Sequence, residues 1–225
     1  MTTARERILG RLRHHPSAVA SSGHLRPNGL PVPPAPTFSP LSGNLALDDA
    51  IASFRRGSET FHAEVIDTRG GDWRHMLADI CAAKNVRHLL LPPQSDLAPW
   101  PDGPALRKFD QPIENIKREL FDNTDAGLTI ADGAIADTGT LFQLDPRTMP
   151  RTLSLVPPIH ICVLDVKRIL PSLQAAVASE GWQAAMPSNL IFITGPSKTA
   201  DIQQTLAYGA HGPKELIVLL TEGMQ

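Results

Sequence analysis

The residues best suited to chemistry gather in two stretches, DGAIADTGT from Asp132 to Thr140 and FITGPSKTADIQQTLAYGAHGPKEL from Phe192 to Leu216. In the second, Gly195, Ser197, Lys198, Thr199 and Asp201 leave what reads as a strand, NLIFIT, and open what reads as a helix, KTADIQQTLAY. A helix start presents backbone N–H groups and the positive end of the helix dipole to an anion. Ser197 and Thr199 would add hydroxyl donors there and Lys198 a charge, although the same hydroxyls also fit a plain N-cap. In the first stretch, Asp137, Thr138, Gly139 and Thr140 are turn formers that equally suit hydrogen bonding to a carboxylate or phosphate. His211 stands beside Gly212 and Pro213, ahead of the last strand. Pockets of open α/β sheets lie outside the carboxyl ends of the strands, so on its own His211 reads as a turn histidine rather than a base.

Several specific chemistries are excluded. A nucleotide P-loop needs glycine just before the Lys-Thr pair and again five residues earlier, and those positions hold Ser197 and Phe192. No G-x-G-x-x-G follows an expected strand, and neither HExxH nor G-x-S-x-G occurs. His160 alternates with apolar residues in IHICVLD and reads as a core histidine; Asp122 and Asp125 read as parts of a polar loop. The chain has two cysteines, Cys81 and Cys162, too few for a four-thiolate iron–sulfur site. Both fall on expected apolar faces, where free cysteine usually packs.

The elements that must position these residues follow from periodicity. The chain has 225 residues, of which 42% are hydrophobic, and a formal net charge of -2. That is enough to bury a core and gives no electrostatic case for nucleic acid or an anionic membrane. No apolar run reaches spanning length, so a soluble, cytoplasmic protein is expected. Residues 1–44 read as a short helix, TTARERILGRLRHH, followed by a proline-rich arm that can form neither helix nor central strand. Residues 45–225 read as the folded domain. Leu47, Ala50, Ile51 and Phe54 recur at helix spacing with Gly57 as the expected C-cap. FHAEVID, a helix capped by Asp72, and HLLLP then form a β–α–β unit, for which parallel pairing is expected. AGLTIADGAIADTGTLFQLD gives three short β-type runs, read as an antiparallel insertion. IHICVLD, the helix PSLQAAVASEG, NLIFIT, KTADIQQTLAY and KELIVLLT complete an alternating order that favours a three-layer α/β domain.

The segments TDAGLTIADGAIADTGTL, LSLVPPIHICVL and FITGPSKTADIQQTLAYGAHGPKEL, in this order from Thr124 to the end of the chain, resemble the lactate utilization protein C family, whose domain is the LUD domain. The resemblance implies a three-layer fold like that of glucosamine-6-phosphate deaminase, ribose-5-phosphate isomerase and the CoA transferases. It also implies participation in oxidising L-lactate to pyruvate beside iron–sulfur proteins. This chain would be the cluster-free member, with no cofactor of its own and a pocket for a small carboxylate or other anion. The motif positions carried over are Asp137, Thr138, Gly139 and Thr140, then Gly195, Pro196, Ser197, Thr199, Asp201, His211, Gly212 and Pro213. FQLDPRTMPRTL departs from the usual continuation of the TGTL strand. Two other readings stand beside this one. One is a stand-alone enzyme acting on a phosphorylated or CoA-linked molecule, for which Glu180 and Glu215 offer no recognisable nucleophile context; the other is an assembly scaffold.

Overall fold

The computed structural model describes residues 45–144, 147–200, 206–208 and 212–223. The expected N-terminal helix, the proline-rich arm, Asp201 and His211 lie outside the described residues, and Thr199 is described in its backbone alone. Helix α1, Leu47–Thr60, buries Ala50, Ile51, Phe54 and Ser58, the one-sided stripe that steps of three and four residues produce. Gly57, expected to end this helix, lies inside it, because α1 there runs against another backbone segment described below. Strand β1, Ala63–Asp67, leads to α2, Trp73–Ala83, whose start is fixed by the Asp72 carboxylate accepting the Arg74 N–H at 3.0 Å.

The remaining elements are β2 (His88–Leu91), β3 (Ala105–Lys108), α3 (Ile113–Asp122), β4 (Ala126–Ile130), β5 (Gly133–Ile135), β6 (Thr140–Gln143), α4 (Arg151–Leu155), β7 (Ile159–Asp165), β8 (Ile169–Leu170), α5 (Leu173–Ser179), β9 (Ile191–Ile193), β10 (Lys198–Ala200), β11 (Leu206–Tyr208) and β12 (Glu215–Thr221). Six strands form one wholly parallel sheet in the order β1-β12-β7-β4-β2-β3. β1 and β2 are thus parallel members of one sheet but not neighbours. A second sheet has the order β8-β5-β6-β9, and β10 and β11 pair as an antiparallel ribbon. The fold is α/β with layers on both faces of a parallel sheet, as the element order implied.

Alternation along β7 and β12 divides the core into two faces. Cys162, Leu164, Val218 and Leu220 pack with Ile51 and Phe54 of α1 and with Ala134, Leu141 and Ile169 of the small sheet. Ile161, Val163, Ile217 and Leu219 face the other way, onto Leu77, Ile80 and Cys81 of α2 and Leu97 of the loop between β2 and β3. Central parallel strands buried on both faces read as continuous apolar runs, which is why IHICVLD and KELIVLLT are legible. Leu120 of α3 and Leu153 of α4 close over Leu90 on the α1 face.

Two expectations about local structure change. The middle segment is divided: β4 enters the main parallel sheet, and β5 and β6 form the antiparallel hairpin of the small sheet. NLIFIT also belongs to the small sheet, where β9 pairs with β6. The helix expected at KTADIQQTLAY is replaced at Lys198–Ala200 by a strand paired with Leu206–Tyr208. Thr199 and Tyr208 are β-favouring types, and the Ser197 N–H is engaged by the Pro213 carbonyl at 2.8 Å, so it is not a free donor at a helix start.

Candidate functional site

The DTGT segment is a docked turn. Asp137 and Thr138 are exposed at the tip of the β5–β6 hairpin, while Gly139 is buried. Gly139 has φ +64, a left-handed conformation that disfavours any side chain. It also lies directly on α1: a Cβ built on Gly57 would stand 2.7 Å from the Gly139 nitrogen. The Ser58 hydroxyl donates to the Gly139 carbonyl at 2.9 Å and the Ser53 hydroxyl to the Ala136 carbonyl at 3.1 Å. Partial desolvation pushes the Asp137 carboxyl above the usual carboxylate range, against hydrogen bonds from Thr138 that lower it.

Thr140 joins this turn to the second motif. The antiparallel register that pairs Leu141 with Ile193 continues to bring the Thr140 and Thr194 hydroxyls to 3.0 Å. Thr194 begins the loop Thr194-Gly195-Pro196-Ser197, whose glycine passes so close to the Phe61 carbonyl that a Cβ would overlap it. Thr140, Gly195, Ser197 and Lys198 are therefore gathered around one loop, whereas Asp137 and Thr138 line neither depression described next.

The loop separates two depressions of different character. One, of about 270 Å³, is lined by Thr60, Phe61, His62, Thr194, Gly195, Pro196 and Lys198. His62 holds φ +66 in the turn between α1 and β1, a strained conformation for a residue with a side chain. The other, of about 230 Å³, has walls from Ser154 and Leu155 of α4, Ile191 and Ile193 of β9, and Leu216 of β12, with His160 of β7 on its surface. His160 is 1% exposed, and its Nε2 lies 2.7 Å from the Thr129 hydroxyl. Burial pushes its imidazole down to about 3, so the ring is neutral at physiological pH. Both depressions adjoin the amino ends of β1, β7 and β12, opposite to the side where open α/β sheets usually bind ligands.

At the carboxyl end of β1 a wider groove of about 650 Å³ is lined by Asp48, Arg55, Arg56, Asp67 and Arg69, among others. Its charges are largely satisfied within the protein, Arg69 meeting Asp67 at 2.7 Å and Asp48 at 3.3 Å. Cys81 and Cys162 belong to the cores on opposite faces of the sheet. No group of three or more metal-ligating side chains occurs among the described residues, and among them no helix is long and apolar enough to cross a membrane.

Three site residues were not singled out by motif: Thr194, His62 and Ser154. The first had a signal, since it directly precedes Gly195 in the strand-to-loop passage. The others depend on the packing of α1 and α4 beside that loop. His160 is the core histidine its alternation implied, and it also borders a cavity.

The LUD domain profile matches residues 51–221. An uncharacterized protein of Neisseria meningitidis serogroup B is 40% identical over 157 residues, 66% of each chain. Lactate utilization protein C of Deinococcus radiodurans is 31% identical across 90% of this chain and 90% of its own. The crystal structure of a DUF162 family protein from Deinococcus radiodurans superposes with TM-score 0.60 at 23% identity, covering 79% of this chain and 99% of that one; this supports the fold. With its two motifs joined at Thr140 and Thr194 and its sequence matched over most of the domain, the chain belongs to the LUD domain family and, within it, to the lactate utilization protein C family.

Proposed function

We propose that this chain is a component of an L-lactate utilisation system that oxidises L-lactate to pyruvate together with iron–sulfur partner proteins, and that its own contribution is a pocket for a small carboxylate. The observation that carries the role is the nearly full-length likeness to a protein named for lactate utilisation. In the reaction lactate loses the hydrogen on its hydroxyl-bearing carbon and that of the hydroxyl itself, giving up two electrons and two protons as the C–O bond becomes a carbonyl. In this proposal the electrons pass to the partners' clusters; the two cysteines of this chain, buried on opposite faces of one sheet, are too few for a four-thiolate cluster.

The depression beside Lys198 supports the carboxylate pocket. Lys198 supplies the positive charge, Thr194 a hydroxyl held by Thr140, and Gly195 the close approach of backbone. The helix N-terminus that would have favoured a phosphorylated or CoA-linked substrate is replaced by strand β10, so the stand-alone enzyme reading loses its main structural motive. Removing the gene abolishes growth on L-lactate under this proposal, and a Lys198→Ala protein restores the growth only in part. Normal growth on L-lactate without the gene would overturn the role. Full restoration by the Lys198→Ala protein would overturn the pocket while leaving the role standing.

A further inference from the structure

Helix α1 does not end on a glycine. Phe61 follows its last turn with the N–H on the Ser58 carbonyl, and His62 comes next with φ +66 and its N–H on the Glu59 carbonyl, both bonds at 3.0 Å. This is the left-handed position after a helix that glycine usually fills, because a Cβ there is a steric burden. Histidine enters that region more readily than branched or bulky residues do, but glycine enters it at no cost. Residues kept in a costly backbone conformation cluster at functional sites, and the imidazole is what a glycine would lack.

That imidazole stands at a junction. His62 and Pro196 line the Lys198 depression, and the same two residues line a neighbouring depression of about 240 Å³ that also holds Glu64, Lys214 and Glu215. The two sides differ in charge. No acidic residue is among the described lining residues of the Lys198 side, whereas on the other side Glu64 and Glu215 share the Lys84 ammonium, Glu64 at 3.7 Å. A ligand carboxylate is attracted by the Lys198 ammonium and repelled by that pair of glutamates. A bound acid therefore has its charged end beside Lys198 and the rest of its body in the depression that Lys198 shares with the imidazole. The threonine hydroxyls there are already engaged: Thr60 donates to the Arg56 carbonyl at 2.7 Å, and Thr194 is paired with Thr140 at 3.0 Å. An imidazole donates at one nitrogen and accepts at the other, which suits an alcohol hydroxyl.

We propose that His62 is the specificity-determining residue of the Lys198 depression: it hydrogen-bonds the hydroxyl on the carbon beside the carboxylate, so that the depression selects 2-hydroxy acids over plain carboxylic acids of the same length. This rests on the carboxylate pocket proposed above and adds the group that reads the hydroxyl. Phe61, His62 and Lys198 are all exposed, so the hydroxyl exchanges one hydrogen bond to water for one to protein. The preference that results is about two- to tenfold, the ordinary net worth of such a bond.

Titration of L-lactate and of propionate into the full chain, followed by NMR at the Gly195 amide signal, tests the assignment. The wild-type chain binds L-lactate about two- to tenfold more tightly than propionate. In His62→Gly, a substitution that suits the left-handed backbone, L-lactate affinity falls to that of propionate, and propionate affinity is unchanged. Lys198→Ala weakens both acids alike. A wild-type chain that binds both acids equally, or a His62→Gly chain that keeps the preference, would overturn the role of His62 and leave the pocket standing. Binding of neither acid to the wild-type chain, or unaltered binding of both in Lys198→Ala, would overturn the pocket itself and the role of His62 with it.

Discussion

Replacing Gly139 with alanine separates two physical effects that are usually confounded. Gly139, Gly70, Gly181 and Gly223 all have positive φ, but only Gly139 has another backbone within reach of a would-be Cβ. Forcing an L-residue into the left-handed region costs about 1–2 kcal/mol, and this applies equally to Gly139→Ala and Gly181→Ala. In Gly139→Ala the new methyl group also meets the Gly57 and Ser58 backbone of α1. Overpacking of that kind adds about 1–3 kcal/mol. The movement it forces further strains the Ser58 bond to the Gly139 carbonyl. Gly139→Ala is therefore destabilised by about 2–5 kcal/mol in all, a large part of the 5–15 kcal/mol that holds a typical domain together, and Gly181→Ala by only about 1–2 kcal/mol. Urea unfolding followed by circular dichroism, with midpoints compared at constant m-value, measures both. Equal destabilisation of the two variants would refute the docking of α1 onto the DTGT turn.

Four further outcomes follow. Thr140→Val and Thr194→Val each lower stability by about 1 kcal/mol, the usual worth of a hydrogen bond, and the double variant loses less than the two separately; strict additivity in the double-mutant cycle would mean that the 3.0 Å contact carries no energy. His160 is held down to about 3 by burial, below its ordinary value near 6.5, so the unfolded chain binds the extra proton first. Its contribution to stability is complete above pH 6.5 and is lost as pH falls toward 3, with a slope approaching about 1.4 kcal/mol per pH unit; a flat profile through that window contradicts the buried neutral ring. Asp67 acts lower on the scale: its hydrogen bond to Arg69 depresses it, so its stabilisation disappears only as pH falls below the ordinary carboxylate range. Burial pushes the Cys81 thiol up to about 11 and that of Cys162 to about 12. The folded protein accordingly resists iodoacetamide at mildly alkaline pH and reacts at both sites once unfolded, whereas rapid labelling of the folded chain would refute their burial.

Much of the fold was legible because its central strands are buried on both faces. IHICVLD and KELIVLLT have no other reading at that length, and α1 and α2 carry their stripes openly. KTADIQQTLAY failed for the converse reason: its apolar residues are few, and a backbone bond from Ser197 to Pro213, sixteen residues apart in sequence, decides what Lys198–Ala200 becomes. Pairing order is likewise non-local, which is why β1 and β2 could be read as parallel but not as separated by three strands. In the site, sequence grouped Thr140 with Asp137 and Thr138 as one polar cluster. The hairpin instead exposes the aspartate and its neighbour, docks Gly139 on α1 and turns Thr140 toward Thr194. That division depends on Gly57, a residue whose sequence context reads as a helix end and whose role is contact.

Purifying the tagged chain from cells grown on L-lactate, and assaying lactate-dependent reduction of an artificial electron acceptor with and without it, tests the proposed role most directly. If the chain has that role, iron–sulfur proteins co-purify, oxidation requires the chain, and Lys198→Ala lowers the rate at limiting lactate. A chain that purifies alone, with lactate oxidation unchanged by its removal, would contradict it.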